Sequence, residues 1–458
     1  MKLTLIGGGG VRSPLFASTA LRWQARTGLT ELCLFDIDAR KLALFGALCR
    51  EVVRRGGEPF TVTSTTDARE ALTGTRHVVT TIRAGFEQGR ALDERIALRH
   101  GVLGQETTGP GGFAMALRSI PAILDYARLL QQLNPGAWMY NFTNPAGLVT
   151  QALRDAGFEH TIGICDGANA GQISIAHWAG VEESRIRAEV FGLNHLSWCR
   201  AAWLEGENLL PQALADDGYL RQAQGLFDPA LVRMIGMHMN EYLYYYYYPE
   251  QALAAITAEG MTRGEEIVEL NTRLVEQLEE IGVERDPERA LRAFFGYEKR
   301  RGATYMHYAY GGTSIEEANK QQMFDADIPP AAGEGYAGVA LSLIEALETG
   351  QPLYTALNVP NQGAIQGMRD EDVVEVSCRV DGTGVHPMLI GEVPAPQLGL
   401  MQAVKLYENL TVGAIREGSR HLAVVALMAH PLVLSYARAR TLVDEYLTAH
   451  RAYVGEWK

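Results

Sequence analysis

Two glycine-rich stretches carry the residues of this chain that are best suited to chemistry. The first is Gly7-Gly8-Gly9-Gly10, and a single acid, Asp36, stands at the end of the next predicted strand. The second is Leu103–Phe113, in which four glycines and one proline surround the carboxylate of Glu106. Glycine lets a backbone approach a ligand closely, and helix N-termini favour anions. The first stretch therefore predicts a nucleotide site, and the second predicts a loop that presents Glu106.

The elements around Asp36 have the order of a dinucleotide-binding unit. Leu3–Ile6 and Leu32–Asp36 predict strands on either side of a helix. In such a unit the pyrophosphate lies at the helix N-terminus and the acid accepts the ribose hydroxyls. The charge of Asp36 repels a 2′-phosphate, so the pattern favours NAD over NADP. An ordinary strand–helix turn stays open as the alternative, because Arg12 or Ser13 stands where the third glycine is expected.

Strand and helix continue to alternate, which predicts a mostly parallel, doubly wound sheet. Further strands are predicted at residues 61–63, 77–82, 138–142 and 161–164. Ligand groups gather at the carboxyl ends of such strands, where Arg83, Asn144, Cys165 and Asp166 stand. The candidate cofactor contacts are Gly7, Gly8, Gly9, Gly10, Val11, Arg12, Asp36, Thr81 and Arg83.

Beyond residue 185 the pattern becomes mixed. Val190–Trp198 predicts strand, turn and strand, Gly264–Ile281 has helical periodicity, and Met401–Tyr446 predicts two or three helices. The predicted fold class is α/β. A Rossmann-like NAD-binding domain is predicted for residues 1–165, and an α+β domain is predicted for residues 166–458.

The composition is that of a soluble globular protein. The 458 residues include 21% charged residues and have a net charge of −13. This charge argues against a nucleic-acid partner, because phosphate binding needs clustered Lys and Arg. The five scattered cysteines indicate a reducing cytoplasm. No signal peptide and no membrane contact are predicted, because the apolar runs are too short.

Several stretches, in this order, resemble glycoside hydrolase family 4, nearest to its 6-phospho-β-glucosidases: the glycines at 7–10, then 90–95, 104–112, 141–147, 192–195, 242–243 and 361–365. The resemblance implies hydrolysis of a 6-phosphoglycoside, by an exception to the two-carboxylate mechanism. NAD oxidises the sugar at C3, a base removes the C2 proton, the aglycone leaves C1, water adds, and the hydride returns to C3. It also implies a divalent metal, typically Mn²⁺, and a homodimer or homotetramer. The α+β domain of residues 166–458 would then hold the substrate and the metal and mediate oligomerisation.

The resemblance assigns the metal and the base to particular residues. Cys165 and His195 match the metal ligands, Tyr242 matches the base for the C2 proton, and Arg263 matches the arginine that supports that base. Asp166 is a candidate acid for the leaving group. Taken alone, these positions favour a buried cysteine, a hydrogen-bonded histidine and an aromatic residue of the core or of an interface.

The resemblance also implies substrate contacts. Glu106 and Asn144 match residues that hold sugar hydroxyls, and Arg90 with Arg301 is expected to hold an anion at C6. The alternative for Arg90, and for the cluster Lys299-Arg300-Arg301, is a set of solvated charges on a helix.

Two departures from the family pattern leave the C6 group and the anomer open. Asp166-Gly167-Ala168 replaces Asn-Val-Pro or Asp-Met-Pro, and the stretch 301–306 also differs. One alternative keeps the mechanism but takes a 6-sulfonate, as in sulfoquinovosides, or a uronate. Alternatives of other classes are an NAD-dependent sugar dehydrogenase that releases NADH and a non-catalytic NAD-binding regulator.

Overall fold

The computed structural model describes residues 1–310, 323–329 and 335–458. The chain forms two compact units, each assembled from three stretches. Unit 1 comprises Met1–Leu92, Pro121–Thr143 and Ala255–Glu345, and unit 2 comprises Asp93–Ile120, Asn144–Ala254 and Ala346–Lys458. The division into domains at residue 165 stays a prediction.

The described residues of unit 1 include five parallel strands in the order β5-β4-β1-β2-β3. They are β1 Lys2–Ile6, β2 Glu31–Phe35, β3 Thr61–Thr65, β4 His77–Thr80 and β5 Trp138–Asn141. Leu5 of β1 pairs with Leu34 on one side and Val79 on the other, and all three are fully buried. Burial on both faces explains why these strands are continuous apolar runs. The predicted Rossmann-like sheet is confirmed.

The helices of unit 1 pack an apolar stripe onto a shared core. Helices Ala39–Arg55, Arg263–Ile281 and Pro287–Ala303 bury Leu48, Leu278 and Phe294 in one cluster. Among the described residues, the other helices confined to this unit are Ser13–Thr27, Ala68–Leu72 and His307–Tyr310. Phe86–Arg99, Pro110–Leu133, Pro249–Glu259 and Gly335–Thr349 each contain a boundary between the units.

Unit 2 has mainly antiparallel strands, which confirms the predicted α+β character. Strands β6 Thr161–Gly163, β11 Leu353–Pro360, β12 Val373–Asp381 and β13 Gly384–Pro387 pair in that order. A second sheet has the order β10-β8-β7, with β9 on β8. Its strands are β7 Arg187–Leu193, β8 Leu196–Leu204, β9 Glu207–Asn208 and β10 His238–Met239.

The helices of unit 2 include three near the end of the chain, where two or three are predicted. These are Ala395–Glu417, Arg420–Ala429 and Tyr436–Ala449, and the other α-helices are Ala146–Asp155, Ala170–Ala179, Leu210–Ala215, Asp217–Ala223, Pro229–Ile235, Tyr244–Tyr247 and Arg451–Val454. Short 3₁₀ turns cover Gly167–Asn169, Glu183–Arg185 and Glu241–Leu243. In the described parts of the chain, every helix is too short or too polar to cross a membrane.

One helix starts earlier than the sequence predicts. The helix expected from Phe113 begins at Pro110, because proline suits the first turn, where its missing N–H is not needed. Gly111 and Gly112 therefore lie in the first helical turn, and the loop that carries Glu106 is shorter than predicted.

Candidate active site

The turn after β1 packs tightly against β2. The backbone N–H groups of Gly7 and Gly8 donate to the carbonyl of Phe35 at 2.9 and 2.8 Å. A Cβ on Gly8 would lie 2.7 Å from the Cβ of Leu34, so a larger residue would force the two strands apart. Helix Ser13–Thr27 follows directly. The turn and this helix N-terminus form a cradle of the kind that binds a pyrophosphate.

Asp36 follows β2 directly and faces the same turn. Its Oδ2 accepts from the N–H of Gly9 at 2.9 Å, and its Oδ1 accepts from the N–H of Asp38 at 3.0 Å. Burial raises the pKa of Asp36, although both N–H groups oppose the rise. The residues of this turn therefore fit a nucleotide, with a carboxylate placed for the ribose hydroxyls.

Thr81 and Arg12 border this cradle. The N–H of Thr81 donates to the carbonyl of Ile6 at 2.8 Å, which ties the ends of β4 and β1 together. The guanidinium of Arg12, after Gly10 and Val11, lies 5.9 Å from the ring centroid of Tyr336. Unit 1 thus brings most of the cofactor candidates around one turn, and their contacts with NAD stay a prediction.

Arg83, Arg90 and Arg301 form a group of like charges in unit 1. Burial opposes ionisation of Glu87, but Arg83 and Lys41 outweigh it and hold the pKa of Glu87 below its usual range. Arg90 is 5% exposed, and its charge acts on partly buried Arg301. The interpretation of Arg90 as a solvated helix charge is therefore wrong, because a solvated side chain would not be buried. Glu298 and Tyr297 also act on Arg301 and outweigh its burial, so its guanidinium is charged and suits an anion.

Arg263 has its contacts within unit 1. Its guanidinium donates to Glu266, to the hydroxyl of Thr304 at 2.7 Å and to the carbonyl of Arg301 at 2.8 Å. It therefore holds the C-terminal end of helix Pro287–Ala303. Its predicted support of Tyr242 stays a prediction.

In unit 2, His195 lies in the two-residue turn between β7 and β8. Leu193 pairs with Leu196, and the backbone φ of His195 is 62°, in the left-handed region that favours glycine. Such strain persists where surrounding contacts hold a side chain in place for function. Burial lowers the pKa of His195 to about 4, although Glu106 and Asp166 oppose the fall, so the imidazole is neutral at pH 7.

The turn is held by hydrogen bonds to a buried carboxylate, that of Glu375 on β12. It accepts from the hydroxyl of Ser197 at 2.7 Å and from the amides of Asn194 and Asn358 at 3.2 and 3.1 Å. Glu375 is fully buried. Burial raises its pKa, and the three donors oppose the rise.

Cys165 lies beside the same turn, at the end of β6. Burial raises the pKa of its thiol well above the usual value, and Glu375 and Asp166 raise it further, whereas Asn194 opposes the rise. The neutral imidazole of His195 and the thiol of Cys165 are ligand types that divalent cations bind. A bound cation would offset the negative charge of the nearby carboxylates and would favour the thiolate form of Cys165. In the described residues, no group of three or more His, Cys, Asp or Glu could hold a metal. Two protein ligands would leave further positions for sugar oxygens.

Tyr242 stacks on His195. The two ring centroids lie 3.7 Å apart, and the ring planes are within 2° of parallel. Asn240 fixes the segment, because its Oδ1 accepts from the N–H of Tyr242 and its own N–H donates to the carbonyl of Ser197, both at 3.0 Å. Its amide also lies 3.5 Å from the carbonyl of Gly167. The predicted base is therefore next to a predicted metal ligand.

The remaining substrate candidates of unit 2 lie near these groups. The amide of Asn144 lies 3.5 Å from Oε1 of Glu106, and the charge of Glu106 acts on His195. Asp166 is exposed, with its Oδ1 4.0 Å from Sγ of Cys165. Unit 2 therefore brings together all six candidates that it contains: Glu106, Asn144, Cys165, Asp166, His195 and Tyr242.

Several residues of the site were not predicted. Asn194, Asn240 and Glu375 hold the turn and the tyrosine segment, and Thr107 bonds His195. A lone acid in the apolar run of β12 was the available signal for Glu375.

Comparison with known proteins gives matches along the whole chain. The model of the "Family 4 glycosyl hydrolase" matches residues 2–180, and that of its C-terminal domain matches residues 190–433. A probable 6-phospho-beta-glucosidase of Bacillus subtilis is 30% identical, covering 100% of this chain and 98% of the relative. Phospho-alpha-glucosidase PagL of Clostridium acetobutylicum is 28% identical, and the match covers 99% of this chain and 98% of the relative.

A solved structure extends the similarity to three dimensions. The 6-phospho-beta glucosidase of Thermotoga maritima, solved with manganese, NAD⁺ and glucose-6-phosphate, matches with a TM-score of 0.82 and 27% identity over 100% of both chains.

Proposed function

This chain belongs to the family 4 glycosyl hydrolases, and on that premise we propose that it hydrolyses 6-phosphoglycosides and recycles NAD in each turnover. The parallel stack of Tyr242 on His195 carries the proposal, because it sets a proton-abstracting group beside a metal ligand. The names of the relatives and the ligands of the Thermotoga maritima enzyme support the substrate class and the cofactors.

NAD supplies a reversible hydride acceptor for C3 of the sugar, and a divalent cation, Mn²⁺ as in the Thermotoga maritima enzyme, supplies a Lewis acid for its hydroxyl oxygens. Cys165 and His195 would hold the cation, and the turn around Gly8 and Asp36 would hold NAD. Neither group needs to leave during a turnover, so the net reaction is hydrolysis.

The side chains of unit 2 perform the proton transfers. The phenolate of Tyr242 accepts the proton from C2, which is acidic once C3 is a ketone. Asp166 is exposed and donates a proton to the oxygen of the leaving group. The carboxylate of Glu106 accepts hydrogen bonds from the sugar hydroxyls, and the amide of Asn144 donates hydrogen bonds to them.

Arg90 and Arg301 bind the phosphate at C6. Burial lowers the pKa of Arg301, but Tyr297 and Glu298 outweigh it, so the guanidinium is charged, and charged guanidinium groups are common partners of phosphate. The anomer of the substrate stays open, since this chain matches both a probable 6-phospho-beta-glucosidase and a phospho-alpha-glucosidase.

The mechanism is tested with the C2 proton. Hydrolysis in D₂O should give product labelled at C2, whereas Tyr242→Phe should nearly abolish turnover and leave NAD and Mn²⁺ bound. Unlabelled product rules out the mechanism, and stoichiometric release of NADH would indicate a dehydrogenase.

The substrate class is tested separately, with kcat/KM for matched glycosides that differ only at C6. The phosphate should be preferred. A higher kcat/KM for the sulfonate or the uronate would identify that group as the preferred anion. Equal kcat/KM for the neutral glucoside would show that the anion site does not exist.

A further inference from the structure

Two polar residues of the loop before helix Pro110–Leu133 form a chain of hydrogen bonds to His195. Gln105 accepts through Oε1 from the backbone N–H of Thr107 at 2.8 Å and from that of Thr108 at 3.2 Å. A backbone N–H can only donate, so the atom of the Gln105 amide that faces them is its oxygen. The hydroxyl of Thr107 donates to the same oxygen at 2.7 Å.

This arrangement determines the tautomer of His195. A hydroxyl has one proton, and that of Thr107 is directed to Gln105. Its oxygen therefore accepts at its second contact, which is Nδ1 of His195 at 2.5 Å. Nδ1 then carries the proton of the neutral imidazole, and Nε2 presents a lone pair.

We propose that Gln105 and Thr107 are positioning residues that fix the tautomer and the ring orientation of His195 for metal binding through Nε2. The inference rests on the proposed function, because it takes His195 as a metal ligand. Metal-bound histidines commonly donate their other N–H to such a partner.

The loop is packed closely enough to hold the two residues in place. A Cβ on Gly111 would lie 2.4 Å from the carbonyl oxygen of Gln105, and one on Gly112 would lie 2.5 Å from that of Thr107. Only glycine permits this approach without a shift of the loop.

Mn²⁺ affinity of the full-length protein, read from the EPR signal of free Mn²⁺, tests the proposal without turnover. Thr107→Val removes the acceptor and keeps the shape, so Mn²⁺ should bind about 10- to 100-fold more weakly. Thr107→Ser keeps the hydroxyl and should restore most of the affinity. Thr441→Val, the same change on the helix near the end of the chain, should have no effect. Equal affinity of Thr107→Val and wild type overturns the proposal.

The tautomer is read from ¹⁵N NMR of the metal-free protein labelled at histidine, with the His195 signal identified by its loss in His195→Ala. Wild type should carry the proton on Nδ1. Gln105→Met frees the Thr107 hydroxyl to donate to Nδ1, so the proton should move to Nε2 and Mn²⁺ should bind more weakly. A wild-type proton on Nε2 overturns the proposal even if every variant misfolds.

His195→Ala separates failure of this inference from failure of the proposed function. Loss of Mn²⁺ binding in His195→Ala with full binding in Thr107→Val refutes only the roles of Gln105 and Thr107. Unchanged binding in His195→Ala refutes the metal site, and the inference with it.

Discussion

The buried carboxylate of Glu375 gives a quantitative test of how the His195 turn is held. In Glu375→Leu three donors lose their acceptor: those of Ser197 and Asn358, which are buried, and that of Asn194, which is partly buried. Each unpaired buried donor costs about 1–3 kcal/mol, so the two buried donors alone cost about 2–6 kcal/mol. That is a large part of the stability of a typical protein, about 5–15 kcal/mol.

Glu375→Gln is the matched control. Its amide oxygen can accept from the two asparagines, and the hydroxyl of Ser197 can turn to accept from its amide nitrogen. The free energy of unfolding should fall by only about 1 kcal/mol, because the hydrogen bonds weaken but no donor is left unpaired.

Urea unfolding of both variants in EDTA, followed by circular dichroism, measures the difference. The leucine variant should unfold at a clearly lower urea concentration than the glutamine variant. Equal midpoints would refute the reasoning, since the three hydrogen bonds would then contribute nothing to stability.

The pH dependence follows from the raised pKa of Glu375. The folded protein holds this proton more tightly than the unfolded chain, in which the pKa of a glutamate is about 4.3. Between that value and the raised pKa the folded state binds more protons, so stability falls as pH rises through this window. Glu375→Gln lacks this effect. Its stability relative to wild type should increase as pH rises, and a decrease would contradict the assignment.

Three further variants test other parts of the molecule. Asp36→Ala should weaken NAD binding and reduce the discrimination against NADP, as measured by fluorescence titration. Equal affinity of the wild type for the two cofactors would contradict this role of Asp36. Arg90→Met should raise KM for the 6-phosphoglycoside about 10- to 100-fold and leave that for the neutral glycoside unchanged. Arg118→Met breaks a fully buried ion pair and leaves Asp93 with buried His450 as its side-chain partner, so the free energy of unfolding should fall by up to about 3–5 kcal/mol. An unchanged midpoint in urea unfolding would argue against a stabilising role for the Arg118–Asp93 pair.

Most of the fold could be predicted from the sequence because its signals are local. Buried parallel strands are short apolar runs, and the glycines after β1 stand where the chain must turn against β2. The sequence predicts the start of helix Pro110–Leu133 too late, because glycine is unfavourable within helices and therefore indicates a loop.

The site could be predicted only in part, because its contacts join distant parts of the chain. Asn194 and Glu375 are 181 positions apart, and Thr107 and His195 are 88 apart. No periodicity within one element predicts such pairs. The burial of Arg90 was missed for a similar reason, because a charged run on a helix has the same pattern whether water or protein covers it.

The parallel contact between His195 and Tyr242 has a consequence for motion. A phenol ring flips by sweeping its edges through the space on either side of its plane, and the imidazole occupies one of those sides at 3.7 Å. Flips of Tyr242 therefore require the imidazole to withdraw. In NMR spectra the two edges of this ring should give separate resonances at temperatures where tyrosines with open faces give averaged ones.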